Sequence, residues 1–199
     1  MKIFVFFPFC AGPMVSALFL LIGAVGGLRA AEVSAVVDDF SDPARNSLGV
    51  ERVVISDQTA GGASELRSAF ADGVLAASGD IVPARGQPGW VSLTLVLKPG
   101  GEAVDVSRYE GIRLRVRLKQ GMLSVSANSA EVTNFDYHAA LVAAKPGEFT
   151  EVKIPFRSMK RAWSEQTALN PATIQSISLV AVDFQKNAFA YDVDEVGFY

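Results

Sequence analysis

Between Gly111 and Lys119 the aliphatics Ile112, Leu114, Val116 and Leu118 alternate strictly with the cations Arg113, Arg115, Arg117 and Lys119. Successive side chains of a strand point to opposite faces, so an extended chain gathers the aliphatics on one side and the charges on the other. A helix would scatter both around its circumference. The segment therefore requires a sheet with one oily and one wet side, and a second layer to cover the oily one.

The same period recurs. Val91, Leu93, Leu95 and Leu97 alternate with Trp90, Ser92 and Thr94, and Leu123, Val125 and Ala127 with Ser124, Ser126 and Asn128. Gly, Pro, Asn and Asp clusters divide the pattern into predicted strands at 50–56, 64–70, 73–80, 90–97, 111–119, 122–128, 135–143, 149–155, 174–183 and 189–198, and no stretch holds a helical period for three turns. About ten short strands predict an all-β protein, a β-sandwich or jelly roll. Alternation stops between Phe156 and Pro171, which reads as a long connection carrying Arg157, Lys160, Arg161 and Trp163.

Ahead of this pattern, Lys2 precedes an uncharged run from Ile3 to Leu28, broken early by Pro8 and Pro13 and followed by the small residues Ala30, Ala31, Ser34 and Ala35. This predicts a signal peptide over residues 1–35 and a single exported domain over 36–199, periplasmic or secreted. A retained anchor is the alternative, and it is the only membrane contact expected.

The 199 residues carry 18 Lys and Arg against 21 Asp and Glu, a formal charge of -3, so there is no basic excess to attract nucleic acid. The one cysteine, Cys10, falls in the leader and the one histidine is His138. Disulfides, thiol nucleophiles and Cys/His zinc sites are thereby excluded from the exported part.

Three kinds of site follow from the residues. A binding face is expected where Arg113, Arg115 and Arg117 join Ser124, Ser126, Asn128, Asp136 and His138, with Trp90 or Tyr137 as an aromatic platform for a sugar ring. The plain alternative is a solvated face whose arginines are balanced by carboxylates. A protein contact is expected at Arg161 and Trp163, residue types enriched in interface hot spots. A weak calcium site is expected if the first and last strands bring Asp38 or Asp39 to Asp194 and Glu195, all oxygen donors; no other cofactor is expected. Catalysis is not expected. Ser126, His138 and Asp136 are the available triad types but no G-x-S-x-G elbow surrounds a serine, and the acidic group Asp192, Asp194 and Glu195 suits strand alternation better than a glycosidase pair.

The order of several segments also carries a resemblance. Asp38-Asp39-Phe40 is followed by Ser56-Asp57-Gln58-Thr59-Ala60-Gly61-Gly62-Ala63-Ser64, Leu75-Ala76-Ala77-Ser78-Gly79, Val106 to Val116, Glu151-Val152-Lys153-Ile154-Pro155-Phe156 and Leu169-Asn170-Pro171-Ala172-Thr173-Ile174. The series resembles the complex I intermediate-associated protein 30 family over nearly all of residues 38 to 198. The resemblance implies a galactose-binding-like β-sandwich related to carbohydrate-binding modules and supplies no catalytic residues. Well-known members assist assembly of mitochondrial respiratory complex I, whereas this chain has an export-type leader instead of an Arg-rich transit peptide. The expectation is an exported, noncatalytic module that docks on an envelope protein as an assembly factor, or alternatively a carbohydrate-binding module holding a glycan on its polar face.

Overall fold

A computed structural model describes residues 34–199; all but the last two residues of the predicted leader lie outside the described residues. In chain order the strands are β1 (Val36–Asp38), β2 (Val53–Ser56), β3 (Glu65–Ala71), β4 (Val74–Ile81), β5 (Gly89–Val96), β6 (Gly111–Gln120), β7 (Leu123–Ser129), β8 (His138–Leu141), β9 (Thr150–Pro155), β10 (Lys160–Arg161), β11 (Ile174–Asp183) and β12 (Asn187–Phe198). They form two six-stranded antiparallel sheets. The first runs β3-β4-β12-β6-β9, with β1 also paired to β12, and the second runs β10-β8-β7-β11-β5-β2.

All ten predicted strands form, most with shifted ends and that at 174–183 with the predicted ones. The two additional strands are too short for alternation to reveal. β1 is recruited by the end of β12, where Phe198 N–H donates to Ala35 O at 2.7 Å. β10 forms inside the predicted connection because Lys160 and Arg161 pair with Ala139 and His138. β8 begins three residues later than expected because Phe135 takes a left-handed conformation at φ 63°, which an extended strand cannot contain.

The inward residues make one core. Ile112, Leu114, Val116, Tyr191, Val193, Val196 and Phe198 of the first sheet face Leu93, Leu95, Val125, Ile177 and Leu179 of the second, all nearly inaccessible. Two buried carboxylates tie loops to this core. Asp38 accepts from Arg52 Nε at 2.6 Å and Nη2 at 2.8 Å, while the guanidinium lies 5.3 Å from the Phe40 ring and 4.8 Å from the Phe70 ring. Asp57 accepts from Ser64 N (2.9 Å), Ser64 Oγ (2.6 Å) and Trp90 N (3.2 Å), and so fixes the start of β5 against the loop after β2.

Two of the glycines in the family-like segments are there for close approach. A Cβ on Gly62 would overlap the Asp57 carboxylate, and one on Gly111 would overlap Ile154 O across the β6–β9 pair. Substituting either displaces backbone or a buried charge.

Removing one partner of a buried ion pair strands the other. Arg52→Ala is therefore expected to cost about 3 to 5 kcal/mol in chemical denaturation. Among the described residues the core hydroxyl of Tyr191 has no hydrogen-bond partner, and burial pushes its pKa up. Tyr191→Phe removes that orphan group, so thermal melting should show equal stability or a gain of about 1 kcal/mol.

Candidate binding face

The pairing register sets the residues on the outer face of the second sheet into rows. One row holds Val96, Ser176 and Asn128; the next Val53, Thr94, Ser178, Ser126, Ala139 and Lys160; the third Ile55, Ser92, Val180, Ser124 and Leu141; the last Trp90 and Val182. Tyr137, just before β8, continues the alternation beside the first row and meets the Trp163 ring edge-on at 5.3 Å. Rows two residues apart are separated by about 6.8 Å and six strands span about 24 Å. The face is long enough to hold an extended ligand between Tyr137 and Trp90.

Its floor is a hydroxyl network. Ser92 Oγ lies 3.1 Å from Thr94 Oγ1, which lies 3.0 Å from Ser178 Oγ; Asn128 Nδ2 donates to Ser178 Oγ at 3.0 Å and to Ser176 Oγ at 2.8 Å. Although these serines point away from the core, Ser126 and Ser178 are only 2% and 3% exposed. Hydroxyls joined this way have lone pairs and rotors left for a further partner, and short side chains between an indole and a phenol make a polar floor with aromatic ends.

The Tyr137 end is rigidly built. Asp136 accepts from Tyr137 N (2.8 Å), Arg161 Nε (2.8 Å), Ala162 N (3.0 Å), Ser164 N (3.0 Å) and Ser164 Oγ. Arg161 also donates to Asn134 Oδ1 at 3.0 Å and Thr167 Oγ1 at 3.2 Å. Burial raises the Asp136 pKa, but the hydrogen bonds from Ser164, Tyr137 N and Arg161 together outweigh it and hold the carboxyl well below the usual range. These bonds lock two loops together and leave Phe135 and Trp163 93% and 61% exposed.

The first sheet's outer face is closed by ion pairs. Arg113 pairs with Glu195, Arg115 with Asp194, and Arg117 and Lys119 with the buried Asp192, the latter at 2.6 Å. A bulge between Val193 and Glu195 puts Asp194 and Glu195 both outward while Val193 and Val196 stay in the core. Phe149 lies 5.0 Å and 4.6 Å from the Arg115 and Arg117 guanidiniums.

The structure thus redistributes the predicted residues. Trp90, Ser126, Asn128, Tyr137 and Trp163 collect on or beside the second sheet's outer face. Arg113, Arg115 and Arg117 do not belong to it. They stand on the other sheet, neutralised by the acidic strand, because one alternation pattern cannot tell which sheet a strand joins. His138 points inward beside Ala127 with Nε2 2.9 Å from Thr167 O, on the opposite side of the sheet from Ser126, so Ser126, His138 and Asp136 are not assembled as a triad. Asp136 and Arg161 are structural partners of each other instead of free contacts. β1 does meet β12, but the expected calcium ligands have other partners: Asp39 accepts from Ser41, and Asp194 and Glu195 take arginines. Among the described residues no group of three or more His, Cys, Asp or Glu is placed to hold a metal ion.

Ser92, Thr94, Ser176 and Ser178 complete the floor, although the sequence reading had not assigned them to a site. Their alternation with Val91, Leu93, Ile177 and Leu179 was the available signal. Nothing in the pattern marked Phe135 as exposed.

This architecture is that of a galactose-binding-like β-sandwich. Within that class the chain belongs to the complex I intermediate-associated protein 30 family, whose model matches residues 39–193. It is similar to the family 11 carbohydrate-binding module of a cellulosomal cellulase of Clostridium thermocellum, at 16% identity and TM-score 0.57, covering 81% of this chain and 92% of that one. The same kind of module in complex with a beta-1,3-1,4-mixed-linked tetrasaccharide gives 17% identity and TM-score 0.57, with 82% and 94% covered. An agarase gives 9% identity and TM-score 0.54, covering 81% of this chain and 24% of the enzyme. No curated protein matches the chain in sequence.

Because the Asp136 pKa is depressed in the folded state, its contribution to stability is present above the unfolded carboxylate pKa near 4 and is lost as pH falls toward the folded value. Asp136→Asn should destabilise the protein at neutral pH by about 3 to 5 kcal/mol, since Arg161 loses its buried partner. The variant's urea midpoint should also fall less steeply than the parent's below about pH 4.

Proposed function

We propose that this protein is a noncatalytic glycan-binding module whose outer second-sheet face holds an extended oligosaccharide. The observation that carries this is the bonded floor of Ser92, Thr94, Ser176, Ser178 and Asn128 lying between Trp90 at one end and the Tyr137–Trp163 pair at the other. Sugars offer hydroxyls to such a floor and CH faces to aromatic rings, and binding of this kind breaks no bond. The tetrasaccharide held by a module of similar fold agrees with this reading. The leader-like sequence from Ile3 to Leu28 supports a site of action outside the cytoplasm.

A second reading is an assembly factor that docks on an envelope protein. The family match and the exposed Phe135 and Trp163 support it.

Calorimetric titration with mixed-linked β-glucan oligosaccharides and a panel of other glycans tests the first reading. Binding by the parent chain should weaken about tenfold to thirtyfold in Trp90→Ala and in Trp163→Ala, and in Ser178→Leu, which blocks the floor. Arg115→Ala, on the opposite sheet, should leave affinity unchanged. Absence of binding to any glycan, together with a stoichiometric protein partner lost in Trp163→Ala, would instead establish the docking reading.

A further inference from the structure

At the Trp90 end of the sandwich, the loop between β4 and β5 and the turn between β11 and β12 enclose an open cleft of about 530 Å³. Its walls include Pro83, Arg85, Gln87, Phe184, Gln185 and Lys186. Ligand pockets commonly have volumes of about 300 to 1,000 Å³. The cleft does not belong to the hydroxyl floor, but it lies where that floor runs out: Phe184 follows Val182 by two residues, and Val182 is opposite Trp90.

Three features of the cleft bear on what it could hold. Phe184 is 75% exposed at the tip of a tight turn, where it contributes little to the core. Arg85 and Lys186 are exposed and have no carboxylate partner among the described residues, whereas the cations of the first sheet are paired. The turn's own carboxylate takes neither of them: Asp183 accepts from Gln185 N at 3.0 Å and Asn187 Nδ2 at 2.9 Å, bonds that hold its pKa down. The nearby Asp80 on β4 is paired with Arg67.

From this juxtaposition we infer that the cleft is an anion-recognising subsite, so that the glycan held on the hydroxyl face is an acidic one. The inference rests on the glycan reading and narrows its ligand class. Phe184 offers a flat apolar surface to one face of a sugar ring, Gln87 and Gln185 offer amides to its hydroxyls, and Arg85 and Lys186 supply the opposite charge to a carboxylate or sulfate substituent. A neutral glycan would engage the floor and leave both cations without a counter-charge.

The experiment is a titration of the full chain with three tetrasaccharides: neutral mixed-linked β-glucan, oligogalacturonate and a sulfated galactan oligomer. At low salt an anionic oligomer should bind more tightly than the neutral one, and raising the ionic strength should erase the difference. Whichever anionic oligomer binds more tightly identifies the substituent. The double variant Arg85→Ala, Lys186→Ala should lose about fivefold to tenfold in affinity for it while its affinity for any neutral oligomer is unchanged. Both positions are exposed loop sites, so an unchanged melting temperature confirms that the variant folds. Equal affinity for neutral and anionic oligomers, or an unaffected double variant, overturns the anion subsite and leaves the glycan reading standing. No binding of any oligomer at either salt concentration overturns both.

Discussion

Four cations set side by side on β6 would repel one another, and the sheet that carries them depends on the acidic edge of β12 alongside. Asp192 takes Arg117 and Lys119, Asp194 takes Arg115, and Glu195 takes Arg113. The cross-strand pairing that neutralises charge outside also brings Val116 opposite Val193 and Leu114 opposite Val196 inside. The bulge within β12 is what makes both possible. It lets Asp194 and Glu195 face outward together without turning Val196 away from the core. One sheet is thereby occupied with holding itself together.

The second sheet's outer face is organised differently. It is built from small polar side chains, whose hydroxyls bond to one another and need no charged partner. Aromatic groups flank it, each supported by a buried carboxylate: Asp57 holds the backbone of Trp90, and Asp136 holds the loops that carry Tyr137 and Trp163. Buried carboxylates with several donors make stiff joints because breaking any one bond leaves an unpaired charge. The same chemistry therefore appears twice, fixing the two ends of the face.

Much of this was readable from the chain. Strict alternation in 111–119 and 122–128 identified strands with one wet side, and the ordered segments around Asp57, Gly62 and Gly111 pointed to the family. Trp90, Ser126, Asn128 and Tyr137, expected on one binding face, do stand on or beside one sheet face, and Trp163, expected at a separate protein contact, packs against Tyr137 at the end of that face. His138 does not join them: it is adjacent to Tyr137 in the extended chain and so takes the opposite face, and its pairing with the core residue Ala127 shows which of the two faces is inside.

Sequence alone determined the period of the pattern, and with it the all-β class, since two-residue alternation is a local property of the extended chain. Tertiary structure decided which wet face belonged to which sheet, because strand order depends on contacts between residues far apart in the chain: Arg117 meets Asp192, and Thr94 meets Ser178. Neither meeting is encoded in any local period. Each exists only once the sheets have assembled, and together they separate the ion-paired side of the molecule from the side built of bonded hydroxyls.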